Sequence, residues 1–153
     1  MSCFCYCPVV WMFCGKSANE FAERVQRKAL RAVYNDYSSN YKQLLNKGGH
    51  NTIHEMNKIS LLVEVFKCLN GENPPILSSI FAYKNLNYNL RRSNLLALPR
   101  PNTISYGLNS FKYRGSMAWN NLPDILKNCD NSNEFKEKLK SQIVIKCNCQ
   151  ICG

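Results

Sequence analysis

Residues 16–37 constrain the fold most, because their side chains repeat with the period of an amphipathic helix. Small and apolar side chains gather on one side of this helix: Phe21, Ala22, Val25, Ala29, Ala32 and Val33. Basic side chains gather on another side: Arg24, Arg27, Lys28 and Arg31. The pattern predicts that the apolar face packs against a core. The basic face is then free for solvent, as most charge runs are, or for an anion.

Capping signals predict where this helix begins and ends. Ser17 is the expected N-cap, with Glu20 completing a capping box, and Asn35 and Asp36 provide a polar stop. Ser38 or Ser39 is expected to cap a short helix that carries two leucines and ends at the next glycine pair, 48–49.

A second long helix follows, and it is the best core element in the sequence. Thr52 and Glu55 repeat the capping-box spacing, and Asn70 and Gly71 end the helix. Its apolar stripe consists of Met56, Ile59, Leu62, Val63, Phe66 and Leu69.

The second half of the chain is less regular. A short helix is expected at 76–83, followed by a loop-rich segment at 84–106 with strands near 95–98 and 103–106. A further helix is expected between Gly107 and the Asn-Leu-Pro at 121–123, and it carries Phe111, Met117, Ala118 and Trp119. The last expected element is a basic helix that is capped by Asn131 or Ser132 and runs to about residue 145. The predicted fold is mainly α, a small helical bundle with a short β-hairpin in its loop-rich middle.

Charge and composition indicate the class of partner. Twenty Lys and Arg against ten Asp and Glu give a net charge of +10 and a pI near 9.3. This excess favours polyanions, with RNA or DNA as the first candidate. An acidic membrane is disfavoured, because no apolar run approaches the roughly twenty residues of a membrane span. The run at 8–14 also lacks the charged start of a signal peptide, so we expect an intracellular protein, nuclear or cytoplasmic.

Basic and aromatic residues also interleave between residues 88 and 114. Arg91, Arg92 and Arg100 join the helical row as candidate nucleic-acid contacts. Aromatic side chains in a basic groove can stack on bases, but more often they belong to the core, and core is our interpretation for Tyr106, Phe111 and Trp119.

The cysteines suggest a possible metal site at the end of the chain. Nine cysteines is an odd number and no Asn-x-Ser/Thr acceptor occurs, which suits a reducing compartment. Cys147, Cys149 and Cys152 place three thiols within six residues, close enough for one tetrahedral zinc ion. Cys129, an N-terminal cysteine, a histidine or another chain would have to supply the fourth ligand. The alternative is a reduced tail without metal.

Three enzyme motifs fail on spacing. Gly15-Lys16-Ser17 lacks the glycine five residues earlier that a phosphate-binding loop requires, and His54-Glu55 lacks the second histidine of a zinc protease. The three aspartates are scattered singly, whereas two-metal polymerase sites need carboxylates held together. We therefore expect a non-catalytic protein.

Several stretches, in this order, resemble the C-terminal end of reverse transcriptases from non-LTR (LINE-type, jockey-like) retrotransposons. The stretches are Cys-Pro-Val-Val-Trp-Met-Phe-Cys-Gly-Lys (7–16), Arg-Lys-Ala-Leu-Arg-Ala-Val-Tyr-Asn-Asp-Tyr (27–37), Glu-Val-Phe-Lys-Cys-Leu-Asn-Gly (64–71), Tyr-Asn-Leu-Arg (88–91), Tyr-Gly-Leu-Asn-Ser-Phe (106–111), Trp-Asn-Asn-Leu-Pro (119–123), Glu-Phe-Lys-Glu-Lys-Leu-Lys (134–140) and the terminal Cys-Asn-Cys-Gln-Ile-Cys.

The resemblance implies a fragment of a larger polyprotein in which an endonuclease and an RNA-directed DNA polymerase come first. The polymerase carboxylates would lie upstream, so no catalytic role transfers to this chain. The implied organisation is a truncated apolar lead-in at 1–15, a mainly helical basic domain at 16–145 and a Cys-rich tail at 146–153. The implied role is to assist RNA or DNA binding in target-primed reverse transcription. The competing interpretations are a zinc-stapled structural or protein-interaction domain and a retrotransposon relic without function.

Overall fold

Helices dominate the computed structural model, which describes residues 7–84 and 94–142, and they confirm the predicted mainly α class. In chain order they are α1 (Pro8–Trp11), α2 (Lys16–Tyr34), α3 (Tyr41–Gly48), α4 (Ile53–Leu69), α5 (Pro75–Ser78), a π-helical turn (Ile104–Leu108), α6 (Phe111–Asn120), α7 (Asp124–Lys127) and α8 (Ser132–Gln142).

The described chain separates into two compact units. Unit 1 contains residues 7–58 and unit 2 contains those between 59 and 142, so the division falls within α4. The domain boundaries expected at residues 15 and 145 stay a prediction.

The two ends of α2 differ in how well the sequence predicted them. The stop is confirmed, because Asn35 adopts a left-handed conformation and its N–H bonds to Arg31 O. The predicted N-cap is wrong: Gly15 occupies that position, and Ser17 lies inside the first turn. The side chain of Asn19 donates to Cys14 O at 3.1 Å and so joins the helix to the preceding turn.

The shorter helix α3 packs against α2, and neither of the two serines expected to cap it is its N-cap. Asn40 is its N-cap, and its N–H donates to Gln43 Oε1 at 2.9 Å. The amides of Ser38 and Ser39 instead bind Asp36 Oδ1, at 3.2 and 3.0 Å. The predicted end is confirmed, since Gly49 adopts the left-handed conformation that closes the helix.

The capping box of α4 is present as predicted. Thr52 N–H donates to Glu55 Oε2 at 2.9 Å, and Glu55 N–H donates to Thr52 Oγ1 at 3.1 Å. From Ile59 onward, the apolar stripe of α4 belongs to the unit 2 core. Phe66 stacks on Phe135 of α8 with ring centroids 4.5 Å apart, and Trp119 of α6 lies 6.4 Å from Phe66.

The loop-rich middle contains less β structure than predicted. Tyr83, expected in a helix, forms one antiparallel bridge with Leu96. Asn120 holds Leu96 from the other side by accepting its N–H at 2.8 Å and donating to its carbonyl at 3.0 Å. The strand expected near 103–106 is wrong, because that segment enters the π-helical turn at Ile104–Leu108.

The last two long helices lie in the segments where the sequence placed them, although α6 begins four residues after Gly107, the residue expected to lead into it. Ser110 caps α6 by accepting the N–H of Tyr113 at 3.2 Å. Asn131, one of the two residues proposed to cap α8, accepts the N–H of Glu134 at 2.8 Å.

Candidate nucleic-acid interface

The buried face of α2 is not the face that the apolar pattern predicted. Ala22, Gln26 and Leu30 are buried. Phe21 is 63% exposed and Val33 74% exposed. The predicted apolar stripe therefore lies mainly in solvent, and this part of the prediction is wrong.

Hydrogen bonds at Gln26 explain the change of face. Gln26 is 1% exposed, and its amide donates from Nε2 to Asn51 O at 3.1 Å. Its Oε1 lies 2.7 Å from the hydroxyl of Tyr41 on α3. A buried amide costs little when both of its ends are bonded, so a polar residue can occupy the centre of the packed face.

Glu23 completes this polar cluster. Its carboxylate contacts the Tyr41 hydroxyl and accepts the backbone N–H of His54 at 2.9 Å, in the first turn of α4. Burial, and then the neighbouring Glu23 carboxylate, raise the pKa of Tyr41 well above its ordinary value. The cluster links α2 to α3 and to the start of α4, and it therefore fixes the rotation of α2.

That rotation turns the basic row outward. Arg24, Arg27 and Lys28 are exposed, and Arg31 is half-buried. The guanidinium of Arg24 lies 6.0 Å from the ring centroid of Phe21. The Nε of Arg31 is buried and has no acceptor among the described residues, so its stem packs along the protein surface.

No member of the row forms an ion pair within residues 7–84 and 94–142. The carboxylates of unit 1 have other partners: Glu20 pairs with Lys16 at 3.7 Å, Glu55 caps α4, and Glu23 belongs to the Tyr41 cluster. Asp36 pairs with Lys47, and this contact, followed by those of Ser39, holds the pKa of Asp36 far below its ordinary value. Within residues 7–58, the charge of the basic row is therefore not neutralised by an ion pair.

The other candidate contacts are only partly described. Arg100 is exposed and belongs to unit 2, whereas Arg91 and Arg92 lie outside the described residues.

The prediction that three aromatic residues belong to the core is confirmed for Trp119, which is buried, and for Phe111, which packs against the core. It is wrong for Tyr106, which is 89% exposed.

The zinc site expected at the end of the chain stays a prediction. Cys147, Cys149 and Cys152 lie outside the described residues. Cys129, one of the possible fourth ligands, is buried in the unit 2 core. Within the described ranges, no three His, Cys, Asp or Glu side chains are grouped so that they could hold a metal ion.

Two further findings concern membrane spans and similarity to known proteins. None of the helices in the described part of the chain combines the length and apolar character that crossing a membrane requires. Comparison with protein-family models, with curated proteins and with solved structures finds no match to this chain.

Proposed function

We propose that this chain is a non-catalytic, basic helical module that binds RNA or DNA through the phosphate backbone, with the basic row of α2 as its main contact. The setting in which we place it is assistance to a retrotransposon-encoded reverse transcriptase, and the support for that setting is the ordered set of motifs in the sequence. The support for binding is the basic row: four cations share one face of a helix, and none of them is ion-paired among the described residues.

The anchoring of α2 favours this role. The face of α2 opposite the basic row is anchored by the buried Leu30 and by the hydrogen bonds of Gln26 and Glu23. A cation on a fixed helix loses less conformational entropy on meeting a phosphate than one on a mobile tail. The row therefore provides charges in a fixed arrangement.

The dimensions of the row also fit a phosphate backbone. From Arg24 to Arg31 the helix rises about 10 Å, at about 1.5 Å per residue. One strand of B-DNA passes a phosphate about every 3.4 Å along its axis, so the row matches about three to four phosphates. Such contacts depend on the charge and spacing of the phosphates, and they do not distinguish one base sequence from another.

The salt dependence of binding tests the proposal. If each of the four cations meets a phosphate of duplex DNA, the slope of log affinity against log salt should include a contribution of about −3 to −4 from the row. The double substitution Arg27→Gln/Lys28→Gln should make the slope shallower by about two. Fluorescence anisotropy of a labelled duplex over a series of NaCl concentrations measures both slopes.

A charge-matched variant separates the row from net charge. Lys42→Gln/Lys136→Gln also removes two exposed cations, one from α3 and one from α8. We expect its slope to stay within about half a unit of the unmodified protein. Equal slopes for the unmodified protein and the Arg27/Lys28 variant, or equal changes in both double variants, would contradict a specific role for the row.

A further inference from the structure

Unit 2 carries a second set of exposed basic residues, and they lie within the longest acid-free part of the chain. No Asp or Glu occurs between Glu72 and Asp124, whereas that stretch carries six basic residues: Lys84, Arg91, Arg92, Arg100, Lys112 and Arg114. Of these, Arg100, Lys112 and Arg114 are described and exposed. None of the three forms an ion pair among the described residues, and Arg114 donates to the neutral side chain of Asn109 at 2.9 Å.

Tyr106 lies in this region with its ring in solvent. It is 89% exposed, more than any other large hydrophobic side chain in the described residues. An exposed aromatic ring in a basic segment, whose described cations form no ion pair among the described residues, offers both a stacking surface and a positive potential.

The backbone around Tyr106 is held on both sides. The N–H groups of Gly107 and Leu108 both donate to Thr103 O at 3.2 Å, and the Ser110 hydroxyl donates to Gly107 O at 2.7 Å. A Cβ on Gly107 would lie 2.2 Å from Pro101 Cβ, so the turn packs directly on the segment that follows Arg100. This contact brings the backbone next to Tyr106 and the backbone next to Arg100 together.

We infer that Tyr106 is a stacking platform for an unpaired base of single-stranded RNA or DNA, with Arg100 and its basic neighbours meeting the flanking phosphates. The inference rests on the proposed function and adds to it a preference for single strands. A ring can stack on a base only when that base is free of a duplex, whereas the α2 row meets phosphates of either form. The segment between Glu72 and Asp124 contains no acidic residue, and Arg100, Lys112 and Arg114 form no ion pair among the described residues. Several positive charges spread along one segment match the repeated charges of a polyanion better than the single charge of one acidic side chain.

The test compares single-stranded and duplex probes. Tyr106→Leu should weaken binding of a 12-nucleotide oligo(dT) about 5- to 100-fold, the range of one aromatic–base stack. Binding of a 12-base-pair duplex should change less than twofold. Tyr106→Phe should retain the affinity of the unmodified protein for oligo(dT). Tyr37→Leu is the matched control, since Tyr37 is 69% exposed and lies in unit 1.

A covalent readout locates the contact independently. Oligo(dT) with one 5-iododeoxyuridine, irradiated on the full chain, should form a cross-link that mass spectrometry maps to residue 106, and Tyr106→Leu should abolish that peptide.

Four outcomes separate the two proposals. Weakened oligo(dT) binding and a cross-link at residue 106 support the platform, even if the Arg27/Lys28 variant behaves like the unmodified protein and refutes the α2 row. Three outcomes overturn the platform, even where the slope test upholds the row. Tyr106→Leu can leave oligo(dT) affinity unchanged, it can weaken the affinities for oligo(dT) and for the duplex equally, or Tyr37→Leu can weaken oligo(dT) affinity as much as Tyr106→Leu does.

Discussion

At the residue scale, Tyr41 has one hydroxyl group between two acceptors on α2. It lies 2.7 Å from Gln26 Oε1 and also contacts the Glu23 carboxylate. Gln26 is buried, so water cannot readily replace a lost partner. A buried acceptor without a donor costs about 1–3 kcal/mol. The stability of unit 1 should therefore depend on this hydroxyl.

We predict that Tyr41→Phe lowers the free energy of unfolding by about 1–2 kcal/mol, the lower part of that range because Tyr41 itself is only half-buried. Urea denaturation followed by circular dichroism measures the change. Tyr37→Phe is the control, because Tyr37 is exposed, and it should leave the midpoint unchanged. Equal midpoints for Tyr41→Phe and the unmodified protein would show that the cluster contributes no net stability.

At the element scale, the structural features that the sequence predicted well are those set by local chemistry. The α4 capping box joins residues three apart, and the left-handed stops at Asn35 and Gly49 need only the residue that tolerates a positive φ. Such signals lie within one turn of chain, so a single sequence contains the information they need.

The features that the sequence did not predict depend on contacts between distant residues. Gln26 is polar, and only its bonds to Asn51 and Tyr41 make it part of the packed face. No helical period could show this, because both partners lie outside α2. The basic row was predictable as a pattern. Its lack of ion pairs within the described part of the chain depends on the partners that Glu23 and Asp36 have elsewhere.

The packing of α6 on α4 provides a prediction at this scale. A Cβ on Gly115 would lie 2.8 Å from Val65 Cγ2 and 3.1 Å from Phe81 Cζ, so the helices approach too closely for alanine. Gly115→Ala gains at most about 1 kcal/mol of helix propensity, whereas overpacking costs about 1–3 kcal/mol. We predict a net loss of stability of about 1 kcal/mol, measured by urea denaturation.

A double-mutant cycle checks that Val65 is the residue displaced. Val65→Ala creates space beside position 115, so Gly115→Ala/Val65→Ala should be about 1 kcal/mol more stable than the sum of the single changes predicts. Strict additivity would contradict this packing.

At the scale of the whole molecule, charge imbalance outweighs charge pairing. The chain carries a net charge of +10. The six ion pairs of the described residues include five between residues three or four apart. Four of those five have both side chains at least partly exposed, and pairs of that kind contribute only about 0.3–0.5 kcal/mol each. Repulsion among unmatched cations should therefore dominate the response of the fold to salt.

We predict that salt stabilises the fold while it weakens DNA binding. Between 10 and 150 mM NaCl the Debye length falls from about 30 to 8 Å. Relief of about 1 kcal/mol of repulsion would raise the Tm by about 2–4 °C for a chain of this size. Over the same range, a slope of −3 to −4 reduces affinity for duplex DNA by about 10⁴-fold. Differential scanning fluorimetry without DNA and anisotropy with it measure the two responses. A Tm that falls with salt would mean that ion pairing, and not unmatched positive charge, dominates the electrostatics of the folded chain.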